Sequence, residues 1–245
     1  MNTPPPSLSL IPGKPFHGLV QIAGVHDMQE VALLLDSGVD AIGFPLRLPV
    51  NAEDCTEQEA AAMARAISPQ ATPVCICYLD RTEAVVRFCT EIGMRHVQLH
   101  GPISVQELKK LKALTPELFV IKSLVVCRDG SNANELEAMV SQLSPHVDAF
   151  ITDTHNPATG ADGATGLTHD WSVSRRLVEL SPRPVILAGG LTPDNVAEAI
   201  RIVRPAGVDA HTGVEGADGR KDRNLTLRFI QQAKQAFINF SATRS

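Results

Sequence analysis

Along this chain, short apolar runs rich in β-branched residues alternate with longer stretches whose apolar positions recur at helical spacing. Residues 18–24 read as a strand. A helix starts near Asp27, with Met28, Val31, Ala32 and Leu35 on one stripe and Glu30 three residues after the cap. A second strand at 39–44 is followed by a loop holding Pro45 and Pro49, then by a capping-box pattern, Thr56 with Glu59, that opens an alanine-rich helix through Ile67. The pattern continues with strand 73–79 and helix 82–92, then strand 96–100 and a helix capped by Ser104 with Glu107. Strand 118–126 precedes a helix at 134–142. Strand 147–153 runs into a long loop, 154–170, containing Gly160, Gly163 and Gly166, before a helix at 172–180.

The next unit is Pro184-Val-Ile-Leu-Ala-Gly-Gly-Leu-Thr-Pro-Asp-Asn-Val-Ala-Glu198: an apolar strand, a double-glycine turn, and a helix predicted to start with Thr192 as N-cap and Pro193 in the first helical position. A strand at 207–210, a loop at 211–223 and a last helix to about Phe237 complete the series. Eight strands alternating with eight helices mean parallel strands joined by right-handed crossovers. The expected architecture is therefore α/β, a single (β/α)8 TIM barrel over residues 17–240, with an N-terminal arm at 1–16 and a C-terminal tail at 241–245. An open doubly wound sheet is disfavoured, because no Gly-x-Gly-x-x-Gly follows the first strand.

Composition narrows the function. A net charge of −5 and 4% aromatic residues leave neither a basic face nor stacking platforms for nucleic acid. No apolar run is long enough to span a bilayer. Residues 1–15, with Pro4-Pro5-Pro6 and no basic residue ahead of a short apolar patch, do not read as a signal peptide. Five cysteines without a Cys-x-x-Cys read as reduced thiols of a cytoplasmic protein. No metal-ligand cluster or nucleotide fingerprint is visible, so the default is a site without metal or cofactor. The expected partner is a phosphorylated small molecule, with the protein a monomer or homodimer and no nucleic-acid or membrane partner.

Barrel chemistry sits at the C-terminal ends of the strands. There the sequence places Gln21 and Ala23, Gln98 and His100, Lys122, Asp153, Gly189-Gly190, and Asp209 to Gly213. Gly189-Gly190 and Thr212-Gly213 fall in the loops after strands seven and eight, where this fold recurrently binds phosphate, and backbone N–H groups can approach an anion there. Asp153 ends an apolar strand and suits proton transfer, although a cap or a salt bridge would also explain it. His100 could bind phosphate, polarise an oxygen, or bond a neighbouring backbone group. Lys122 could form a Schiff base or lie inside the barrel as a paired charge.

Val97-Gln98-Leu99-His100-Gly101, Asp153, Gly163-Ala164-Thr165-Gly166 with Asp170-Trp171, Leu187 to Val196, Gly207-Val208-Asp209, and Gly213-Val214-Glu215 leading to Gly219-Arg220-Lys221-Asp222 follow one another in this order. In this the chain resembles the phosphoribosylanthranilate isomerase family of tryptophan biosynthesis, over roughly residues 18–238. The resemblance implies an Amadori rearrangement of an N-linked phosphoribosyl group to an open-chain 1-deoxyribulose phosphate. Asp153 matches the family's general acid. Gly189, Gly190, Thr212 and Gly213 match its phosphate-binding parts, and Asp209 matches an acidic residue beside the substrate's amino side.

Three segments depart from the family. Its opening Lys-x-Cys-Gly is Gln21-Ile22-Ala23-Gly24 here, so Ala23 stands where the cysteine base belongs. The segment that helps hold the anthranilate reads Gly43 to Val50, with Arg47 its sole cation, and the family's Ser-Ser-Gly becomes His211-Thr212-Gly213. His26, His155 and His211 are the new candidates for proton transfer. His211 stands nearest the inferred phosphate and Asp209, where it would act as base or donate to the phosphate.

The expectation is an isomerase-like enzyme with an altered base and an altered substrate, in which Asp153 and His211 are catalytic and Gln21, Arg47, His100 and Asp209 bind substrate. The alternatives are a non-catalytic barrel that binds a sugar phosphate or a protein partner, and a phosphosugar epimerase or Schiff-base aldolase using Lys122.

Overall fold

The computed structural model describes residues 16–50, 52–156, 161–162, 166 and 168–242. The expected arm up to residue 15, the tail from 243, the side chain of His155 and most of the glycine-rich loop lie outside them. Nine strands form in chain order: β1 (Leu19–Ala23), β2 (Ala41–Pro45), β3 (Thr72–Cys77), β4 (His96–Leu99), β5 (Phe119–Val126), β6 (Ala149–Asn156), β7 (Ala161–Asp162), β8 (Val185–Leu187) and β9 (Gly207–Ala210). The helices between them are α1 (Met28–Asp36), α2 (Glu57–Ile67), α3 (Thr82–Ile92), α4 (Val105–Leu114), α5 (Ala133–Leu143), α6 (Trp171–Leu180), α7 (Val196–Val203) and α8 (Arg223–Ala242).

All strands but β7 are parallel, and β1 pairs with both β2 and β9, which closes a (β/α)8 barrel. The register sets Gln21 against Asp209 and Ala23 against Gly43. The sequence reading did not foresee β7. Strand β6 runs on to Asn156 and pairs antiparallel with Ala161–Asp162, so part of the expected long loop is a hairpin.

Local chemistry explains the helix starts. Asp27 accepts hydrogen bonds from the N–H groups of Gln29 and Glu30, and Thr56 with Glu59 forms both halves of a capping box. Helix α7 begins three residues later than predicted. The Thr192 carbonyl accepts from both Asn195 and Val196, so Pro193 and Asp194 form a turn and Asn195, not Thr192, precedes the helix. Asn195 ties that turn down by accepting from Thr192 N–H (2.8 Å) and donating to the Gly190 carbonyl (3.0 Å).

Side chains alternate across a strand, so residues 19, 21 and 23 of β1 all face the barrel interior at rising height. Leu19 belongs to the apolar plug at the bottom, with Ala41, Val74, Ile121, Ile151 and Ile186. Phe16 and Phe119 stack beneath it, their centroids 6.0 Å apart. Gln21 comes next, and Ala23 lines the cavity at the mouth. A larger apolar layer, including Val20, Ile22, Ile42, Phe44 and Phe150, joins the outside of the barrel to the helices. The polar change of composition along each inward face is what places a site at one end.

Candidate active site

A cavity of about 350 Å³ opens at the C-terminal ends of the strands, and its walls include Ala23, His26, Asp54, His100, Asp153 and Asp209, with the Gly189–Leu191 and His211–Gly213 segments. Gln98 from β4 lies in its wall as well. Beneath it Gln21 is fully buried and donates from Nε2 to Gln98 Oε1 at 3.3 Å.

On the side of β8 and β9 the two glycine-bearing segments interlock. Gly189 and Gly190 have φ of 98° and 63°, a region that side chains rarely adopt. A Cβ on Gly189 would lie 2.2 Å from Thr154 Oγ1, and one on Gly213 only 1.9 Å from the Leu191 carbonyl oxygen. Among the described residues, the N–H groups of Gly189 and Gly190 enter no hydrogen bond. Asp153 stands beside this rim at the end of β6, the strand that pairs with β8. Its Oδ1 accepts from Thr154 N–H at 2.8 Å, and its Oδ2 lies 3.9 Å from His100 Nε2. His100 is positioned from behind by Ser123 Oγ, 2.8 Å from Nδ1. Thr154 is fixed in turn through His169, which contacts Thr154 Oγ1 at 2.8 Å and Ser174 Oγ at 2.6 Å.

The end of β1 is rebuilt around an imidazole. Gly24 has a φ of 74°, and a Cβ there would sit 2.0 Å from His211 Nε2. His211 therefore lies directly on the backbone that follows Ala23. Its Nε2 is 3.4 Å from Glu215 and 3.7 Å from Asp54. Burial, assisted by Lys221 and His26, depresses the His211 pKa to about 3, so the ring is neutral at ordinary pH. Asp54 also reaches His26 Nε2 at 3.8 Å, and burial raises its pKa. Glu30 accepts from the N–H groups of His26 (2.8 Å) and Lys221 (2.9 Å), joining the β1 and β9 loops. The Lys221 side chain is wholly buried on Glu215 at 2.6 Å.

Asp209 is the remaining acid. It accepts a hydrogen bond from Gln21, its Oδ1 has no partner among the described residues, and burial pushes its pKa up to about 7.

The structure thus gathers Ala23, His100, Asp153, Asp209, His211, the Gly189-Gly190 pair and Thr212-Gly213 at one cavity, with Gln21 just below. Arg47 is not there. It pairs with Glu57 through Nε and Nη2 at 2.8 and 3.1 Å, and its guanidinium lies 3.8 Å above the Phe88 ring. Its φ of 54° turns the chain so that this side chain packs against α2 and α3 rather than inward. Lys122 lines an adjoining cavity under α5, where Nζ donates to the carbonyls of Leu99 (3.1 Å) and Ser123 (2.8 Å). Nζ is thereby tied to backbone carbonyls, and Lys122 is not part of the wall of the main cavity. The sequence reading missed Asp54 altogether. It sits in a loop with no periodicity, and only the fold of that loop brings it to His26 and His211.

A closed (β/α)8 barrel with buried carboxylates and imidazoles converging on one cavity at the strand ends has the layout of a barrel enzyme. Residues 20–232 match the profile of the family described as N-(5′-phosphoribosyl)anthranilate (PRA) isomerase. The chain belongs to that isomerase family. It is 36% identical over 223 residues to N-(5′-phosphoribosyl)anthranilate isomerase 2 of Methanosarcina mazei, covering 89% of this chain and 95% of the relative. With the N-(5′-phosphoribosyl)anthranilate isomerase of Haloferax volcanii it shares 36% over 218 residues, 89% and 93% of the two chains. The crystal structure of phosphoribosyl anthranilate isomerase from Thermotoga maritima superposes with a TM-score of 0.74 at 26% identity, covering 89% of this chain and 98% of the other. A phosphoribosyl anthranilate isomerase in complex with reduced 1-(o-carboxyphenylamino)-1-deoxyribulose 5-phosphate gives 0.72 at 26% identity, with the same coverage.

Proposed function

We propose that this protein isomerises a phosphorylated N-ribosyl amine to its 1-deoxyribulose phosphate, with His211 as the base in place of the family's cysteine. The observation that carries the reading is the His211 imidazole seated on Gly24, beside the alanine that replaced the thiol. The turn at Gly189-Gly190, with Thr212-Gly213 against it, would hold the phosphate through backbone N–H groups. Asp153, at the end of the neighbouring strand β6, would protonate the ring oxygen as the C1–O bond breaks and the nitrogen lone pair forms the iminium. His211 would then remove the proton from C2, giving the enolamine, and return it at C1 while the 2-hydroxyl proton passes back to Asp153, which yields the ketose and restores both groups. Atoms balance without a co-reactant.

A neutral imidazole can accept that proton, and Glu215 and Asp54 at Nε2 would compensate the charge it gains. A low pKa makes His211 a weak base in the resting protein, so its effectiveness depends on those two carboxylates. The family membership, the fold and the retained Asp153 support catalysis over mere binding.

The test is turnover of N-(5′-phosphoribosyl)anthranilate, and of related phosphoribosyl amines, in D2O, with ketose formation and deuterium incorporation at C1 followed by NMR. His211→Ala is expected to lower kcat by about 10²–10⁴-fold, the usual range for general-base catalysis. Full activity in that variant removes His211 from the mechanism. Undiminished activity in Asp153→Asn removes the acid.

A further inference from the structure

We infer that the amine half of the substrate carries a cationic or hydrogen-donating group where anthranilate carries its carboxylate. This rests on the phosphosugar reading above and adds to it the charge of the group at the other end.

Among the described residues, the cavity wall holds Asp54, Asp153, Asp209 and Glu215, together with three histidines, and no lysine or arginine. The sequence from 154 to 174 contains neither residue. The nearby cations are committed elsewhere. Arg47 is locked on Glu57, with Glu91 3.7 Å away, and those carboxylates raise its pKa further, so drawing it inward would break a two-point ion pair. Arg220 is held by Asp27 and Glu30, and Lys221 by Glu215. Lys122 lies on the far side of His100, its ammonium on backbone carbonyls.

A carboxylate entering this cavity would lose its hydration and face several like charges, with no counter-ion to meet it. A group that donates hydrogen bonds finds the reverse. Asp209 is 8% exposed and lines the cavity, which places a carboxyl group in the wall. Asp54 adds a second oxygen pair, shared between His26 and His211. A cation placed beside Asp209 would also draw its carboxyl into the ionised form, so binding near neutral pH would release a proton.

Four probes test this by calorimetry at pH 7.5: D-ribulose 5-phosphate, and the reduced 1-arylamino-1-deoxyribulose 5-phosphates whose ring is phenyl, o-carboxyphenyl or o-(aminomethyl)phenyl. The aminomethyl probe is expected to bind at least tenfold tighter than the phenyl probe, and the carboxyphenyl probe at least tenfold weaker. Asp54→Asn and Asp209→Asn should each remove most of the aminomethyl probe's advantage over the phenyl probe measured in the same variant. Equal affinities across the three rings, or a preference for o-carboxyphenyl that survives in both variants, overturn the charge inference and leave the phosphosugar reading in place. If D-ribulose 5-phosphate and every aryl probe fail to bind, that reading falls, and this inference falls with it.

Discussion

Replacing Asp209 by asparagine separates what this carboxyl does for binding from what its burial does to stability. In the folded protein its pKa is pushed from 3.8 up to about 7, first by desolvation, with Gln21 and Lys221 opposing. The unfolded chain titrates near the ordinary value. Between about pH 4 and pH 7 the folded state therefore holds a proton that the unfolded state has lost, and stability falls as pH rises through that window. Roughly three pKa units at about 1.4 kcal/mol each give about 4 kcal/mol lost by pH 8. Asparagine does not titrate and keeps the shape. Its amide N–H can also reach toward Gln21 Oε1, which has no partner among the described residues. Asp209→Asn is thus expected to match the wild type in stability near pH 4 and to exceed it by up to about 4 kcal/mol at pH 8. For a domain of this size each kcal/mol moves Tm by about 2–4 °C, so the gap should reach about 10 °C. Scanning calorimetry of both proteins across this range reads it directly. If the two Tm curves run parallel from pH 4 to pH 8, Asp209 does not titrate as its burial requires.

Three further outcomes follow from the same geometry. Gly24→Ala places a methyl on His211 Nε2 and forces a residue with a Cβ into φ of 74°, so it should lower kcat about as much as His211→Ala and cost about 1–2 kcal/mol in denaturant melts. Arg47→Ala should leave KM for any phosphoribosyl amine within about twofold and lower stability by about 1 kcal/mol, because it removes a half-exposed ion pair and a ring contact that are not part of the cavity wall. A large rise in KM would return Arg47 to the site. Because the His211 pKa is held near 3, kcat measured from pH 5 to pH 8 should show no inflection that the His211→Ala variant lacks.

Much of this molecule was legible before its tertiary structure. Alternating apolar periods fixed eight βα units, since one strand and one helix bury complementary faces and their repetition leaves a closed barrel as the compact solution. Local hydrogen bonding marked the starts at Asp27 and Thr56, because a cap depends only on residues within one turn. It failed at Thr192, where Oγ1 accepts from Asp194 N–H but the Asn195 side chain accepts from Thr192 N–H and closes these residues into a turn ahead of the helix. Strand-end position singled out Asp153, Asp209, His211 and the two glycine pairs, and the absence of a thiol at Ala23 is a fact of the sequence.

Charge geometry was not legible. Arg47 and Asp54 lie in the same aperiodic loop, yet one turns outward to Glu57 and Phe88 while the other turns inward between two histidines. No local rule orders them, since each choice is made by partners that arrive from other elements. The sequence by itself determined the barrel and the strand ends at which its chemistry gathers, because periodicity and capping act over a few residues. Only the tertiary structure decided which charges face the substrate, because ion pairing and desolvation depend on neighbours brought together through space.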